Sequence, residues 1–242
     1  MNYAVTAVDP CSGWLPGCIT INNASKVDSF SSTVGSYGGG NTGTADVAMT
    51  CSKAVAGGSC PNNCPTGCIT GEIVYGNAST FSASTMPVPA YTVNSNRVAV
   101  PVNTTLSPAT PSSVIYFEEI DVNTGGTLTL KSGRYVVNYL NLNQFGTLYV
   151  DDSQGSVVLW VLSSVSPSST VMVKSGKAEG FWLVYNGTNS VNNNSNNSFT
   201  GVIFAPAAEV NLNYVVTGAV VGGKVTLNGS ARVHFDTALQ CP

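Results

Sequence analysis

A nine-residue pattern occurs near both ends of the chain. Residues 19–27 read Ile-Thr-Ile-Asn-Asn-Ala-Ser-Lys-Val, residues 225–233 read Val-Thr-Leu-Asn-Gly-Ser-Ala-Arg-Val, and weaker copies begin at Ile73 and Val210. Two apolar residues flank a polar one, and both point to the same side of a strand. Asn-Asn or Asn-Gly then turns the chain, because both tolerate left-handed backbone angles. The repeat predicts coils that stack at opposite chain ends and bury a column of Val, Ile and Leu.

Short apolar segments rich in β-branched residues continue through the second half of the chain. Most are closed by Gly, Asn or Ser, which is typical of strands. We therefore predict an all-β fold, a β-solenoid of parallel β-helix-like coils. Antiparallel hairpins are the alternative, because Asn-Gly is also a hairpin turn. The predicted strands are 127–130, 135–142, 147–150, 156–161, 170–173, 181–185, 201–205, 210–213, 216–220, 224–228 and 231–235.

Cysteines concentrate in the first part of the chain and predict a disulfide-rich insertion. Six of the seven lie before residue 70, in a context rich in Gly, Pro and Asn. This crowding favours disulfides formed in an oxidising compartment over a zinc site. The number is odd, so one thiol is free or pairs outside the chain, and the connectivity stays open. The disulfide candidates are Cys11, Cys18, Cys51, Cys60, Cys64, Cys68 and Cys241.

The coil pattern at both ends indicates a single domain over residues 1–242. Within it, residues 51–68 form the cysteine-rich insertion, and the Pro-rich residues 82–113 cross the solenoid in extended form. Residues 35–43 and 186–198 are predicted loops. Loops on a rigid scaffold carry recognition, so they supply the predicted contact surface. The candidate contact residues are Tyr37, Asn41, Asn62, Asn63, Asn192, Asn193 and Asn194.

Catalytic and metal-binding groups are sparse in this chain. The single histidine, His234, lies on a predicted strand without a nucleophile motif beside it. The acid pairs Glu118-Glu119 and Asp151-Asp152 are adjacent residues, which point to opposite faces on a strand. Asp121 begins a sequence that resembles a calcium loop but lacks its terminal Glu. We therefore expect no catalytic residue, no metal and no cofactor.

Motifs at both chain ends are those of a known family. At the first end they are residues 27–30 (Val-Asp-Ser-Phe) and 35–38 (Gly-Ser-Tyr-Gly). At the second end they are residues 199–206 (Phe-Thr-Gly-Val-Ile-Phe-Ala-Pro), 216–222 (Val-Thr-Gly-Ala-Val-Val-Gly), 224–228 and 234–236 (His-Phe-Asp). Through these motifs, roughly the first and last 45 residues resemble the solenoid ectodomain of PilX-like and related minor pilins, which follows a membrane-anchoring helix. Residues 199–205 (Phe-x-Gly-x-Ile-x-Ala), followed by residues 218–221 (Gly-Ala-x-Val), also resemble the end of ice-binding β-helical proteins.

The resemblance implies a non-enzymatic, extracellular, pilus-associated protein that serves attachment or pilus assembly. Its partners would be other pilins or pilus subunits and a surface glycan or DNA. It would meet a membrane only through a helix that precedes this sequence. With nine basic and twelve acidic residues and no basic stripe, DNA binding is the weaker expectation. Glycan or ice binding is a further alternative, although no Thr-x-Thr ladder persists across the predicted coils.

Overall fold

The structure, a computed structural model, describes residues 3–8, 19–22, 24–35, 37, 42–49, 73–75, 86–193 and 197–240. Within these ranges the chain forms eighteen strands and two short 3-10 helices, Ala178–Gly180 and Thr237–Leu239. The strands are Val5–Ala7 (β1), Ile19–Ile21 (β2), Lys26–Phe30 (β3), Val47–Met49 (β4), Ile73–Tyr75 (β5), Arg97–Val100 (β6), Asn103–Leu106 (β7), Val114–Val122 (β8), Thr127–Lys131 (β9), Gly133–Leu142 (β10), Thr147–Asp151 (β11), Val157–Pro167 (β12), Thr170–Val173 (β13), Phe181–Tyr185 (β14), Val191–Asn193 (β15), Phe199–Leu212 (β16), Val215–Leu227 (β17) and Arg232–Asp236 (β18).

These strands pair in parallel, each with strands one coil away, and so build a solenoid-like stack with three faces. Face 1 contains residues 114–117, 134–137, 157–161, 181–185, 202–205, 219–222, 5–7, 47–49 and 73–75. Face 2 contains residues 97–100, 119–122, 139–142, 164–167, 191–193, 209–212, 224–227 and 19–21. Face 3 contains residues 103–106, 127–131, 147–151, 170–173, 199–200, 215–217, 232–236 and 26–30.

The prediction of an all-β, solenoid-like fold is confirmed, and the antiparallel hairpin alternative is wrong. Except for β15, the parallel strands between residues 127 and 236 lie where the sequence predicted them, within a few residues. The disulfide-rich insertion stays a prediction. Residues 51–68 and all seven cysteines lie outside the described ranges.

Coils from the two ends of the chain are neighbours in the stack. Ile19 pairs with Val225, and Lys26 pairs with Arg232, in the alignment that the nine-residue repeat predicted. At the turn between these strands, the Asn22 amide donates a hydrogen bond of 2.9 Å to the Asn228 side-chain oxygen, 206 residues away. The stack therefore runs from β6 to β18 and continues with the N-terminal strands β1 to β3.

Faces 2 and 3 alternate between buried apolar and outward polar residues. In β9, for example, Leu128 and Leu130 are fully buried, while Thr127 and Thr129 lie half-buried on the outer side. The alternation follows from the two-residue period of a strand with one face in the core. These two faces have the pattern of sheets with one solvent-facing side.

Face 1 carries apolar residues on both of its sides. The inward residues Leu159 and Val161 are fully buried, and the outward Trp160 is 6% exposed. Trp160 lies in register with Val136 and Val184, which are also buried. Strands buried on both sides have continuous apolar sequences, which explains the run of six apolar residues from 157 to 162.

Residues 86–96 run along the outside of face 1 near its corner with face 2. The Met86 carbonyl accepts a hydrogen bond from Asn186, and the Asn96 carbonyl accepts one from the backbone of Glu118. The segment thus passes from the coil that contains β14 to the coil that contains β8. The chain then enters the stack with β6 and β7, which the sequence analysis did not assign as strands.

One predicted loop differs from the structure. Within residues 186–198, Val191–Asn193 form β15 and pair with β16 on face 2. The Asn-rich composition hid this strand, because Asn is uncommon in strands and common in turns.

Neighbouring coils approach closely where the chain passes from face 3 to face 1. Gly201 and Gly218 lie in register there, with φ of 139° and 141°, which favours glycine. A Cβ on Gly218 would lie 1.9 Å from the Gly201 carbonyl oxygen. Only glycine fits between the two coils at this corner.

We expect Gly218→Ala to lower the free energy of unfolding by about 1–3 kcal/mol more than Gly155→Ala, because of overpacking. Gly155 is a matched control, since its φ of 124° is also positive but a Cβ there would meet open space. Denaturant unfolding followed by circular dichroism measures both losses. Equal losses would contradict the close approach of the two coils.

Candidate recognition surface

Outward side chains of face 2 form a continuous column of polar groups along the stack. The pairings of β8, β10 and β12, and of β15, β16, β17 and β2, align one outward position from coil to coil. β15 is the next strand along face 2 and contacts β12. Asn192 follows the buried Val191 as Ser166 follows the buried Val165, from which we infer that the column continues from Ser166 to Asn192. We call these aligned residues the polar column: Asp121, Asn141, Ser166, Asn192, Asn211, Thr226 and Thr20.

Uncharged hydrogen-bonding groups dominate the polar column. Side-chain amides and hydroxyls can both donate and accept hydrogen bonds. The Asn211 amide donates to the Asn192 side-chain oxygen at 3.0 Å, which orders two adjacent members. Asp121 is the one charged member, and its carboxylate accepts a hydrogen bond of 2.8 Å from the Asn143 amide. The column therefore offers a row of neutral donors and acceptors.

A second outward column of face 2 contains an exposed aromatic ring. Tyr139 lies in register with Glu119 on one side and Ser164 on the other. It is 44% exposed, on the same strand and the same side as Asn141 of the polar column. Glu119 forms an ion pair of 3.0 Å with Arg97. Aromatic rings are enriched at binding surfaces, so Tyr139 makes this part of face 2 a candidate contact region.

The corner between faces 1 and 2 holds a pair of stacked tyrosines. Tyr91 stacks on Tyr116 with ring centroids 5.0 Å apart. The Tyr116 hydroxyl donates a hydrogen bond of 2.6 Å to Glu118, which is the main reason that the pKa of Tyr116 is raised to about 12. This bond and one from the Asn138 amide hold the pKa of Glu118 below its usual value. Glu118 and Glu119 thus bind different partners.

The second acid pair, Asp151 and Asp152, also makes local contacts. Asp151 ends β11 and accepts a hydrogen bond from the Ser153 hydroxyl, which is the main reason that the pKa of Asp151 is lowered. It also forms an ion pair of 3.1 Å with Lys174. Asp152 accepts a hydrogen bond of 3.1 Å from the backbone of Ser175. Both carboxylates stabilise the corner between faces 3 and 1.

Face 3 has a less regular outward surface. Thr127, Thr147 and Thr170 align over three coils, so a short threonine column exists that the sequence analysis did not find. In the adjacent column, Tyr149 and Met172 follow Thr129. A flat threonine array of the kind that ice binding needs does not continue across this face in the described coils.

The single histidine lies buried at the junction between the chain ends. His234 on β18 pairs with Asp28 on β3, and the Nδ1 of His234 lies 2.5 Å from an Asp28 oxygen. Tyr37 stacks on the imidazole at a centroid distance of 3.5 Å and donates a hydrogen bond of 2.8 Å to the other Asp28 oxygen. The side chain of Lys26 lies 3.4 Å from that oxygen. These contacts join the N-terminal coil to the last coil.

The ionisation of this cluster favours the folded state near neutral pH. Burial opposes the charge on Asp28, but hydrogen bonds from His234 and Tyr37 outweigh burial and lower its pKa. Burial and the same carboxylate raise the pKa of Tyr37 to about 12. A lowered carboxyl pKa contributes stability above the unfolded pKa, and that stability is lost as the pH falls through the folded pKa.

The predicted contact residues fall in three different places. Tyr37 packs on His234 and is 37% exposed, so it is mainly a junction residue. Asn192 belongs to the polar column, and the backbone of Asn193 pairs with Leu212. The remaining candidates lie outside the described residues: Asn41, Asn62, Asn63 and Asn194.

Sequence reasoning missed Tyr139 and most of the polar column. The available signal was the outward position in each short strand, where polar residues alternate with buried Val and Leu. The register between coils was needed to show that these residues align. Within the described ranges, no three His, Cys, Asp or Glu side chains form a group that could hold a metal ion.

Tyr37→Phe should lower the free energy of unfolding by about 1 kcal/mol at pH 7, because it removes a hydrogen bond to a charged group. The loss should shrink as Asp28 becomes protonated at acid pH. Denaturant unfolding at pH 7 and pH 3 measures this. Tyr91→Phe is the control, because the hydroxyl that it removes has no hydrogen bond to the described residues. We expect no pH-dependent loss in the free energy of unfolding for this variant. A loss for Tyr37→Phe that is independent of pH would contradict the role assigned to Asp28.

Comparison with known proteins places most of the stack in one domain family. A family model described as a domain of unknown function (DUF7305) matches residues 92–241, which include every strand from β6 to β18. No curated protein matches the chain. No solved structure matches it.

Proposed function

The chain belongs to the family of domains of unknown function DUF7305, and we propose that it is a non-enzymatic, extracellular ectodomain of a pilus-associated, minor pilin-type protein. It serves attachment, and face 2 is the surface that makes the contact. The second candidate function, a DNA-binding pilin, is disfavoured by the charges on the outward side of face 2.

The polar column carries this proposal. A parallel stack holds its outward residues at fixed spacing, so the seven aligned side chains form a preorganised surface. Recognition of a large ligand needs such an array, whereas catalysis needs titratable groups that converge on one point. The acid pairs diverge, and the imidazole of His234 is 5% exposed beneath Tyr37. The geometry therefore favours binding over chemistry.

The motifs that resemble the minor pilins support the pilus assignment. Several of these residues lie at the junction of the two chain ends, where Asp28 contacts His234 and Asp236 accepts a hydrogen bond from the backbone of Ser32. Some of the residues that carry the resemblance therefore also make the contacts that hold the N-terminal coil against the last coil. Disulfides within residues 51–68 would fit an oxidising, extracellular location. Among the described residues, no helix has the length and hydropathy that a membrane span requires.

The charges of face 2 make DNA the weaker ligand. Its outward side includes two basic residues, Arg97 and Lys224, and three acidic ones, Glu119, Asp121 and Glu209. Arg97 is already paired with Glu119. DNA binding needs several free cations that neutralise phosphates. A surface with one excess negative charge repels a polyanion.

Cells that produce the double variant Asn141→Asp/Asn211→Asp should attach about fivefold less than wild type, because two added carboxylates disturb the neutral column. The matched control is Thr127→Asp/Thr170→Asp, which adds the same charge to half-buried outward positions of face 3. Adherent cells are counted, and the protein is quantified by immunoblot in sheared surface filaments. Both variants should reach wild-type levels there.

Absence of the wild-type protein from the sheared filaments would overturn the pilus assignment. Equal attachment of the two double variants would overturn the role of face 2. A gel shift with duplex DNA that weakens steeply with salt would favour the DNA-binding alternative instead.

A further inference from the structure

We propose that face 2 binds a neutral polysaccharide whose chain runs along the solenoid axis, with one sugar ring packed on Tyr139. This inference rests on the proposed function and names the ligand class for the same surface.

The length and spacing of the polar column suit an extended polymer. Adjacent parallel strands are about 4.8 Å apart, so seven aligned residues span about 29 Å. A sugar ring in an extended polysaccharide advances the chain by a similar step. Asn141, Ser166, Asn192 and Asn211 can therefore each face a successive sugar.

The chemistry of the column selects hydroxyl groups. An amide or hydroxyl side chain donates and accepts, as a sugar hydroxyl does, so each can pair in either direction. The column's one charge, Asp121, already accepts a hydrogen bond from Asn143. Arg97 and Lys224 offset Glu119 and Glu209, so Asp121 leaves the outward side of face 2 with one excess negative charge, which disfavours acidic polysaccharides and nucleic acids. The best match is a ligand rich in hydroxyls and without charge.

Tyr139 supplies the apolar contact that such a ligand needs. Its neighbours in register, Glu119 and Ser164, are polar, so the ring has no aromatic partner among the face 2 strands on either side. Burying the exposed part of the ring against the C–H face of a sugar gains hydrophobic free energy, while the hydroxyl stays hydrated. Because Asn141 is two residues away on the same side of β10, one sugar can contact both.

Co-sedimentation of the purified 242-residue chain with cellulose, chitin and insoluble xylan tests the proposal. Wild type should sediment with at least one of them, and Tyr139→Ala should lower its affinity about tenfold. Tyr139→Phe should retain most of the binding, because the ring stays in place. Tyr149→Ala is the matched control, since Tyr149 is an outward tyrosine at the centre of a face 3 strand. Thermal unfolding verifies that each variant is folded.

Sedimentation with none of the three polysaccharides would overturn the proposal. Equal losses for Tyr139→Ala and Tyr149→Ala would also overturn it, as would stronger binding to alginate or duplex DNA than to any neutral polymer. If the face 2 double variant lowers cell attachment while the purified chain binds no neutral polysaccharide, the proposed function stands and this ligand assignment fails. If the purified chain binds a neutral polysaccharide through Tyr139 but cells with the face 2 double variant attach as well as wild type, the ligand assignment stands and the proposed role of face 2 in attachment fails.

Discussion

In-register parallel pairing between coils is the constraint on which the rest of this structure depends. One coil cannot bury its apolar side chains alone, so its stability comes from the coils on either side. Pairing equivalent positions places Val above Ile inside and Asn above Thr outside. The N-terminal coil obeys the same rule across 206 residues of sequence, as the Asn22–Asn228 hydrogen bond shows. The register that builds the core therefore also builds the outward columns.

The three faces differ in what they leave open to a ligand. Face 1 buries Val136, Trp160 and Val184 on its outer side, so these side chains are not open to a ligand. Face 3 ends in the buried pair His234 and Asp28. Face 2 keeps a solvent-facing polar side from β6 to β2. A ligand that contacts many coils at once therefore has face 2 as its most regular surface.

The fold was largely predictable because its signals are local. Alternating Val and Leu, together with Asn-Gly turns, indicated the strands, and the nine-residue repeat indicated which coils from the two chain ends match. The site depends on information that is not local. Tyr139 and Asn141 can be recognised as part of a continuous surface only when the register aligns them with residues of other coils. Asn192 lies in an Asn-rich segment whose composition is typical of loops. The pairing of Asp28 with His234 joins residues whose types alone do not indicate contact.

Amide hydrogen exchange on the intact chain tests the central claim most directly, since it reports whether the N-terminal strands belong to the same cooperative stack. The amides of Thr20, Ile21 and Val27 should exchange as slowly as those of Thr226, Leu227 and Val233, their partners in register. Fast exchange throughout Ile19–Ile21 and Lys26–Phe30, with β17 and β18 still protected, would contradict the account. The two chain ends would then not share one sheet.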